Sequence, residues 1–156
     1  MNHDPIPIAH AALVVVGDGN KAFFYRNEGT PMNVKLVVEH FLEQSNPRTR
    51  EQGTDKPGRY AGPDGSSRSA MEETDWHQLA EDRFAQQISM ELYRLAHANR
   101  FAQLILVAPP KTMGSLRPSL HQEVTKRIVA EIPKDLTGQT KEEVARLISG
   151  RVAGSA

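Results

Sequence analysis

The chain has 156 residues, 38% of them hydrophobic, which is enough to bury one core and argues against two domains. Nineteen basic residues balance nineteen acidic ones, so no overall charge draws the chain to nucleic acid or to an anionic membrane, and such binding requires a local patch. The absence of cysteine excludes disulfides, thiolate catalysis and cysteine-based metal sites. No signal peptide is recognisable and no apolar run approaches the roughly 20 residues that span a bilayer, so we expect a cytoplasmic protein without membrane insertion.

The first third of the chain predicts three antiparallel strands. A β-branched run over residues 11–16 stops at Gly-Asp-Gly-Asn (17–20), where Asp-Gly favours a tight hairpin. A second strand follows over residues 21–26, and a turn at 27–31 leads to a third strand over residues 34–41.

A long segment between residues 42 and 74 is rich in glycine, proline, serine and charge, so we expect a single domain, 1–156, with a flexible loop at about 42–74. Asp75 and Gln78 then fit the start of a capped helix that runs to about Ala98. Its buried face is predicted from apolar residues at helical spacing: Ala80, Phe84, Ile88, Leu92 and Leu95.

Strands and helices alternate in the second half. The apolar run at residues 104–108 predicts a buried strand that stops at two prolines, and a short helix is expected from Ser115 to about His121. A fifth strand is predicted over 127–132, and Thr140 to Glu143 form a capping box for a last helix whose buried face is Val144, Leu147 and Ile148. The order βββαβαβα predicts an α/β fold with a ribonuclease H-like mixed sheet of about five strands and helices packed on it.

Several segments together resemble the bacterial host-attachment protein family. They are Val14–Gly19 with Ala22–Phe24, the glycine-rich stretch near Gly58 and Arg59, the helix start from Asp75 to Phe84, and the segments Leu106–Arg117 and Ala130–Thr137. The resemblance extends over about residues 9–148 and implies a part in attaching bacteria to host cells, with an unknown molecular partner.

That family is distantly similar to the central domain of archaeal and eukaryotic peptide release factors, in which a Gly-Gly-Gln loop precedes the long helix. The corresponding stretch here, residues 58–68, contains no Gly-Gly-Gln. Hydrolysis of peptidyl-tRNA by that route is therefore not implied.

Lys111, Thr112, Gly114 and Ser115 are a candidate anion or ligand site, because free N–H groups at a helix start attract negative charge and a lysine adds to it. An anion- or nucleotide-dependent enzyme at this position is one hypothesis. The alternative is structural: Gly114 allows a bend and Ser115 caps a helix. The Gly-x4-Gly-Lys-Ser/Thr spacing of a phosphate-binding P-loop is absent.

The long loop carries a second candidate site, for RNA. Flexible arginines beside an aromatic ring can hold single-stranded RNA, and the loop offers Arg48, Arg50, Arg59, Tyr60 and Arg68. The alternative is a solvated loop, since its net basic excess is small beside the phosphate contacts of a tight binder.

No catalytic set is recognisable. Asp18 is explained by its hairpin, and no acid lies between Phe101 and Pro110 to complete a two-metal nuclease site. The histidines lack metal-ligand spacing, and no serine lies in a Gly-x-Ser-x-Gly turn. We therefore expect no enzyme activity, metal or cofactor.

Two main functional hypotheses remain beside the anion- or nucleotide-dependent enzyme. The first is a non-enzymatic binding protein of the host-attachment type, and the alternative is an RNA- or ribosome-associated factor related to the release-factor central domain. The partner is an unidentified protein or RNA, and exposed sheet edges leave pairing into a homo-oligomer open.

Overall fold

Five strands form one mixed sheet in a computed structural model that describes residues 6–44 and 63–150, with side chains described over 6–44 and 75–150. The strands are β1 (Leu13–Gly17), β2 (Lys21–Asn27), β3 (Leu36–Glu43), β4 (Leu104–Val107) and β5 (Ile128–Ile132). Their order across the sheet is β3-β2-β1-β4-β5. The first three strands pair antiparallel, whereas β4 is parallel to both β1 and β5. The predicted mixed α/β sheet is confirmed.

The inner strands β1 and β4 are buried on both faces, which explains their uninterrupted apolar sequences. Because side chains alternate along a strand, Leu13 and Val15 enter one core while Val14 and Val16 enter the other. The sheet therefore separates two apolar cores.

Helices cover the two cores unequally. They are α1 (Pro63–His97), α2 (Pro110–Leu116), α3 (Gln122–Thr125) and α4 (Lys141–Ser149), with a 3₁₀ turn at Arg117–Ser119. The buried side chains of α1, α2 and α3 pack on the Leu13 face, and those of α4 on the opposite face. The apolar stripe predicted for α1 is confirmed, since all five of its residues are buried.

The structure corrects the start of the long helix. The helix α1 begins at Pro63 and contains Asp75 in its interior, so Asp75 is not its cap. Leu42 and Glu43 belong to β3. Of the loop expected at 42–74, the twelve residues 63–74 are therefore helical, and residues 45–62 lie outside the described part of the chain.

The second correction concerns the two prolines after β4. They open a helix, because α2 starts at Pro110, and Gly114 and Ser115 lie inside it. Proline is well suited to the first helical position, where its missing N–H would have no partner inside the helix. Ser115 therefore does not cap a helix.

The last helix begins where the sequence predicts. The Thr140 hydroxyl oxygen accepts the backbone N–H of Glu143 at 3.1 Å, which confirms this half of the capping box. The helix ends at Gly150, which has a φ of 77° and supplies the left-handed C-cap. Val144 and Ile148 are buried, and Leu147 packs at the margin of the core.

Candidate functional site

The carboxyl ends of the parallel strands bring polar residues from distant parts of the chain to one edge of the sheet. Asp18 follows β1, Lys111 follows β4, and Asp135 and Thr137 follow β5. Crevices of open α/β sheets lie at such edges, particularly where successive connections diverge to opposite faces. Here the connection after β4 leads to the α1 face and that after β5 to the α4 face.

Asp18 serves mainly as a turn residue. Its Oδ1 accepts the backbone N–H groups of Asn20 at 2.7 Å and Lys21 at 2.9 Å, which confirms the predicted hairpin role. Its Oδ2 lies 3.1 Å from the Thr137 hydroxyl, which is also 2.6 Å from Asp135 Oδ1. The single hydroxyl proton of Thr137 can be donated to only one of these two carboxylates at a time. The contact with Asp18 joins the turn after β1 to the segment after β5.

The four residues of the predicted anion site do not converge. The Lys111 ammonium group is exposed and lies 3.5 Å from Glu81 Oε1 on α1, so its charge is partly balanced within the chain. Gly114 and Ser115 face a different region, a groove against α1. Thr112 is half-buried, and α2 has Pro109 at its N-cap with no side-chain cap hydrogen bond. Anion binding by these residues stays a prediction.

A groove of about 640 Å³ separates α1 from α2 and the 3₁₀ turn. One wall is formed by α1, with Asp82, Gln86, Ser89 and Met90. The opposite wall is formed by small side chains and a proline: Gly114, Ser115, Pro118 and Ser119. The Ser89 hydroxyl donates to the Ser119 carbonyl oxygen at 2.6 Å and so links the two walls.

Three aromatic or imidazole rings cluster next to the groove residues along the chain. Tyr93 is one helical turn beyond Ser89 and Met90, and its ring centroid is 4.3 Å from that of His121, just after the 3₁₀ turn. His97, one turn further along α1, stacks on Tyr93 at 5.7 Å. The Nδ1 atom of His121 accepts the backbone N–H of Glu123 and thereby caps α3.

Sequence analysis singled out Gly114 and Ser115 of this groove as ligand candidates but did not predict the groove itself. Its α1 wall does carry a recognisable pattern, because Asp82, Gln86, Ser89, Tyr93 and His97 recur at three- and four-residue intervals beside the buried stripe. That periodicity identifies a common helix face. It does not identify the α2 wall opposite, which depends on the tertiary fold.

The RNA-contact candidates of the long loop lie outside the described residues. This applies to Arg48, Arg50, Arg59 and Tyr60. Arg68 belongs to α1 by its backbone, but its side chain is also outside the described part.

Among the side chains described, no three histidine or carboxylate groups meet in a way that could hold a metal ion. In the same part of the chain, no helix combines the length and apolar character needed to cross a membrane.

Comparison with known proteins places the chain in a family. No sequence among curated proteins matches it. Among solved structures it is similar to an archaeal translation termination factor, aRF1, with 12% identity and a TM-score of 0.46, over 88% of this chain and 36% of that chain. The chain thus spans about a third of that factor. Residues 11–148 match the model of bacterial archaeo-eukaryotic release factor family 12, and the chain therefore belongs to that family.

Proposed function

We propose that this protein is an RNA- or ribosome-associated factor related to the central domain of peptide release factors. The observation that carries the proposal is the family match, which extends over residues 11–148 and so includes every described strand and helix from β1 to α4 except the last residue of α4. The family match supports the second hypothesis drawn from the sequence, the RNA- or ribosome-associated factor, better than the first. The host-attachment role stays a prediction without support from the fold or from the family match.

The proposal does not include hydrolysis by the release-factor route. The sequence contains no Gly-Gly-Gln. We propose instead that the domain acts by binding. A release assay with purified protein and ribosomes that carry peptidyl-tRNA tests this, and the expected result is no peptide release above the rate without protein. Release above that rate would show that the domain is an enzyme.

Ribosome association is tested by co-sedimentation of the full chain with purified ribosomes at increasing salt. Binding through phosphate contacts weakens as salt increases, because bound counterions are released on association. We expect the fraction of protein in the ribosomal pellet to decrease steadily with salt. No co-sedimentation at low salt, combined with no binding to free RNA, would overturn the proposal.

The contribution of the long loop is measured by replacing Arg48, Arg50, Arg59 and Arg68 together by alanine. A matched control replaces four exposed cations of the described part, Lys35, Arg94, Lys126 and Lys141, and removes the same charge. If the loop contacts RNA, the first variant loses binding and shows a shallower salt dependence, by up to about one unit of slope for each lost phosphate contact. Equal losses in both variants would show that only total charge matters.

A further inference from the structure

The rings beside the groove are placed where a ligand can reach them. Tyr93 is 37% exposed although its ring contacts two other rings, and both His97 and His121 are exposed. Tyrosine and histidine rings are surfaces on which unpaired bases stack, and such stacking tolerates any base. One or more unpaired bases can therefore stack on the rings of this cluster.

The groove next to these rings has room for a base and its sugar. Its volume of about 640 Å³ lies within the range of roughly 300–1,000 Å³ typical of small-molecule sites. Gly114 lines the groove, and a Cβ atom at this position would meet nothing within 4 Å, so the space beside it is open. Glycine destabilises the interior of a helix, and no atom close to position 114 would clash with a Cβ atom, so packing does not explain the glycine.

The lining of the groove is better suited to a base than to a phosphate. Asp82 and Gln86 are on the α1 wall and can hydrogen-bond to the edges of a base, whereas a carboxylate there repels phosphate. The cations stand outside the lining, with Arg117 next to Pro118 and Lys111 near the other end of α2. Both side chains are exposed, and each is near a carboxylate, Arg117 to Glu131 at 2.6 Å and Lys111 to Glu81 at 3.5 Å.

We propose that this groove binds single-stranded RNA, with one unpaired base stacked on Tyr93 and His121 and the adjacent nucleotide seated against Gly114 and Ser115. The inference rests on the proposed RNA association and names the surface and the form of RNA. It names the groove as a contact surface in addition to the arginines of the long loop.

The test measures fluorescence anisotropy of a labelled 12-nucleotide oligouridine, with a blunt RNA duplex of equal length for comparison. The intact protein is expected to bind the single strand more tightly than the duplex at equal salt. Tyr93→Ala is expected to raise the Kd for the single strand about tenfold, the usual order for loss of one stacked base, while Tyr93→Phe keeps the ring and the affinity.

Two further variants separate recognition from folding. His121→Asn removes the imidazole ring but retains a good N-cap for α3, and Gly114→Leu fills the groove from the exposed side of α2. Both are expected to weaken binding several-fold with far-UV circular dichroism unchanged. Val129→Ala, on the exposed side of the edge strand β5, is the control that should bind like the unmodified protein.

The outcomes distinguish this inference from the proposed function. If the intact protein binds ribosomes and oligouridine but Tyr93→Ala and Gly114→Leu bind equally well, the groove is not the site and the proposed function stands. If it binds ribosomes but prefers the duplex or binds no oligouridine, the groove inference fails alone. If neither ribosomes nor RNA is bound, both fail.

Discussion

At the scale of single residues, Arg26 is the most connected side chain at the β2–β3 edge. It forms a bidentate pair with Glu39, with Nε–Oε2 and Nη2–Oε1 distances of 2.6 and 2.7 Å. Its Nη1 also donates to the carbonyl oxygens of Ala11 and Arg100. One guanidinium group therefore joins β2 to β3, to the segment before β1 and to the loop before β4. Such fixed, planar geometry is specific to arginine.

This contact gives stability a defined pH dependence. The hydrogen bond from Arg26 lowers the pKa of Glu39 below the ordinary glutamate value, and the charges of Arg26, Arg100 and His40 lower it further against the opposing effect of burial. A carboxyl group whose pKa is lowered on folding stabilises the native state at a pH above its ordinary pKa. That contribution is lost as the pH falls through the lowered value.

We expect Glu39→Gln to reduce the free energy of unfolding by about 1 kcal/mol or less at pH 7, because the pair is partly solvent-screened. The difference from the unmodified protein should shrink as the pH falls below the ordinary glutamate pKa and disappear once the pH is below the lowered pKa of Glu39, where the group is protonated in both states. Urea unfolding between pH 3 and pH 7 measures this, with Glu43→Gln on the same strand as the control. A cost for Glu39→Gln that stays constant across this range would show that it comes from lost packing.

At the scale of elements, periodic burial was predictable and so was the start of α4, whereas the starts of α1 and α2 were not. The strands β1 and β4 and the apolar stripe of α1 follow from residue patterns that directly encode which side is buried. Residues 63–74, in contrast, begin Pro-Asp-Gly-Ser-Ser, a composition with poor helix propensity, so the first turns of α1 are not indicated by the sequence. The groove requires α2 to pack beside α1, which no local pattern specifies.

Two glycines show how the effect of the same substitution on stability differs between a helix and a turn. Gly114 lies in α2 with open space at its Cβ position. At Gly29, in the turn before β3, a Cβ atom would lie 2.0 Å from the carbonyl oxygen of Asn33. The Gly29 N–H also donates to the side chain of buried Asn27 at 2.9 Å, so the turn cannot easily shift.

We expect Gly114→Ala to raise the free energy of unfolding by about 0.5–1 kcal/mol, because alanine loses less backbone entropy in a helix. Gly29→Ala should lower it by about 1–3 kcal/mol or more through the steric clash. Thermal and urea unfolding of the two variants measure the difference. A destabilised Gly114→Ala protein would contradict the open space found at this position.

At the scale of the whole molecule, the two cores share the central strands. Neighbouring residues of β1 and β4 point to opposite faces, so disorder in one core removes the support of the other. The Arg26 contacts and the Asp18–Thr137 contact add polar links at opposite ends of the strands. The structure therefore favours a single cooperative unfolding unit, with the α1 face and the α4 face lost together.

Matched substitutions of two fully buried isoleucines test this cooperativity. Ile88 on α1 and Ile148 on α4 lie in different cores, and each Ile→Ala change should cost about 2–5 kcal/mol. The urea midpoint should then fall by roughly 1–2 M.

Trp76 on α1 is the chain's one tryptophan, so its fluorescence follows the α1 face, while far-UV circular dichroism follows all helices and strands. If the molecule unfolds as one unit, Ile148→Ala shifts the fluorescence transition as far as the dichroism transition, although Ile148 lies in the other core. A fluorescence midpoint that stays in place while the dichroism curve divides into two steps would show that the α4 face opens independently.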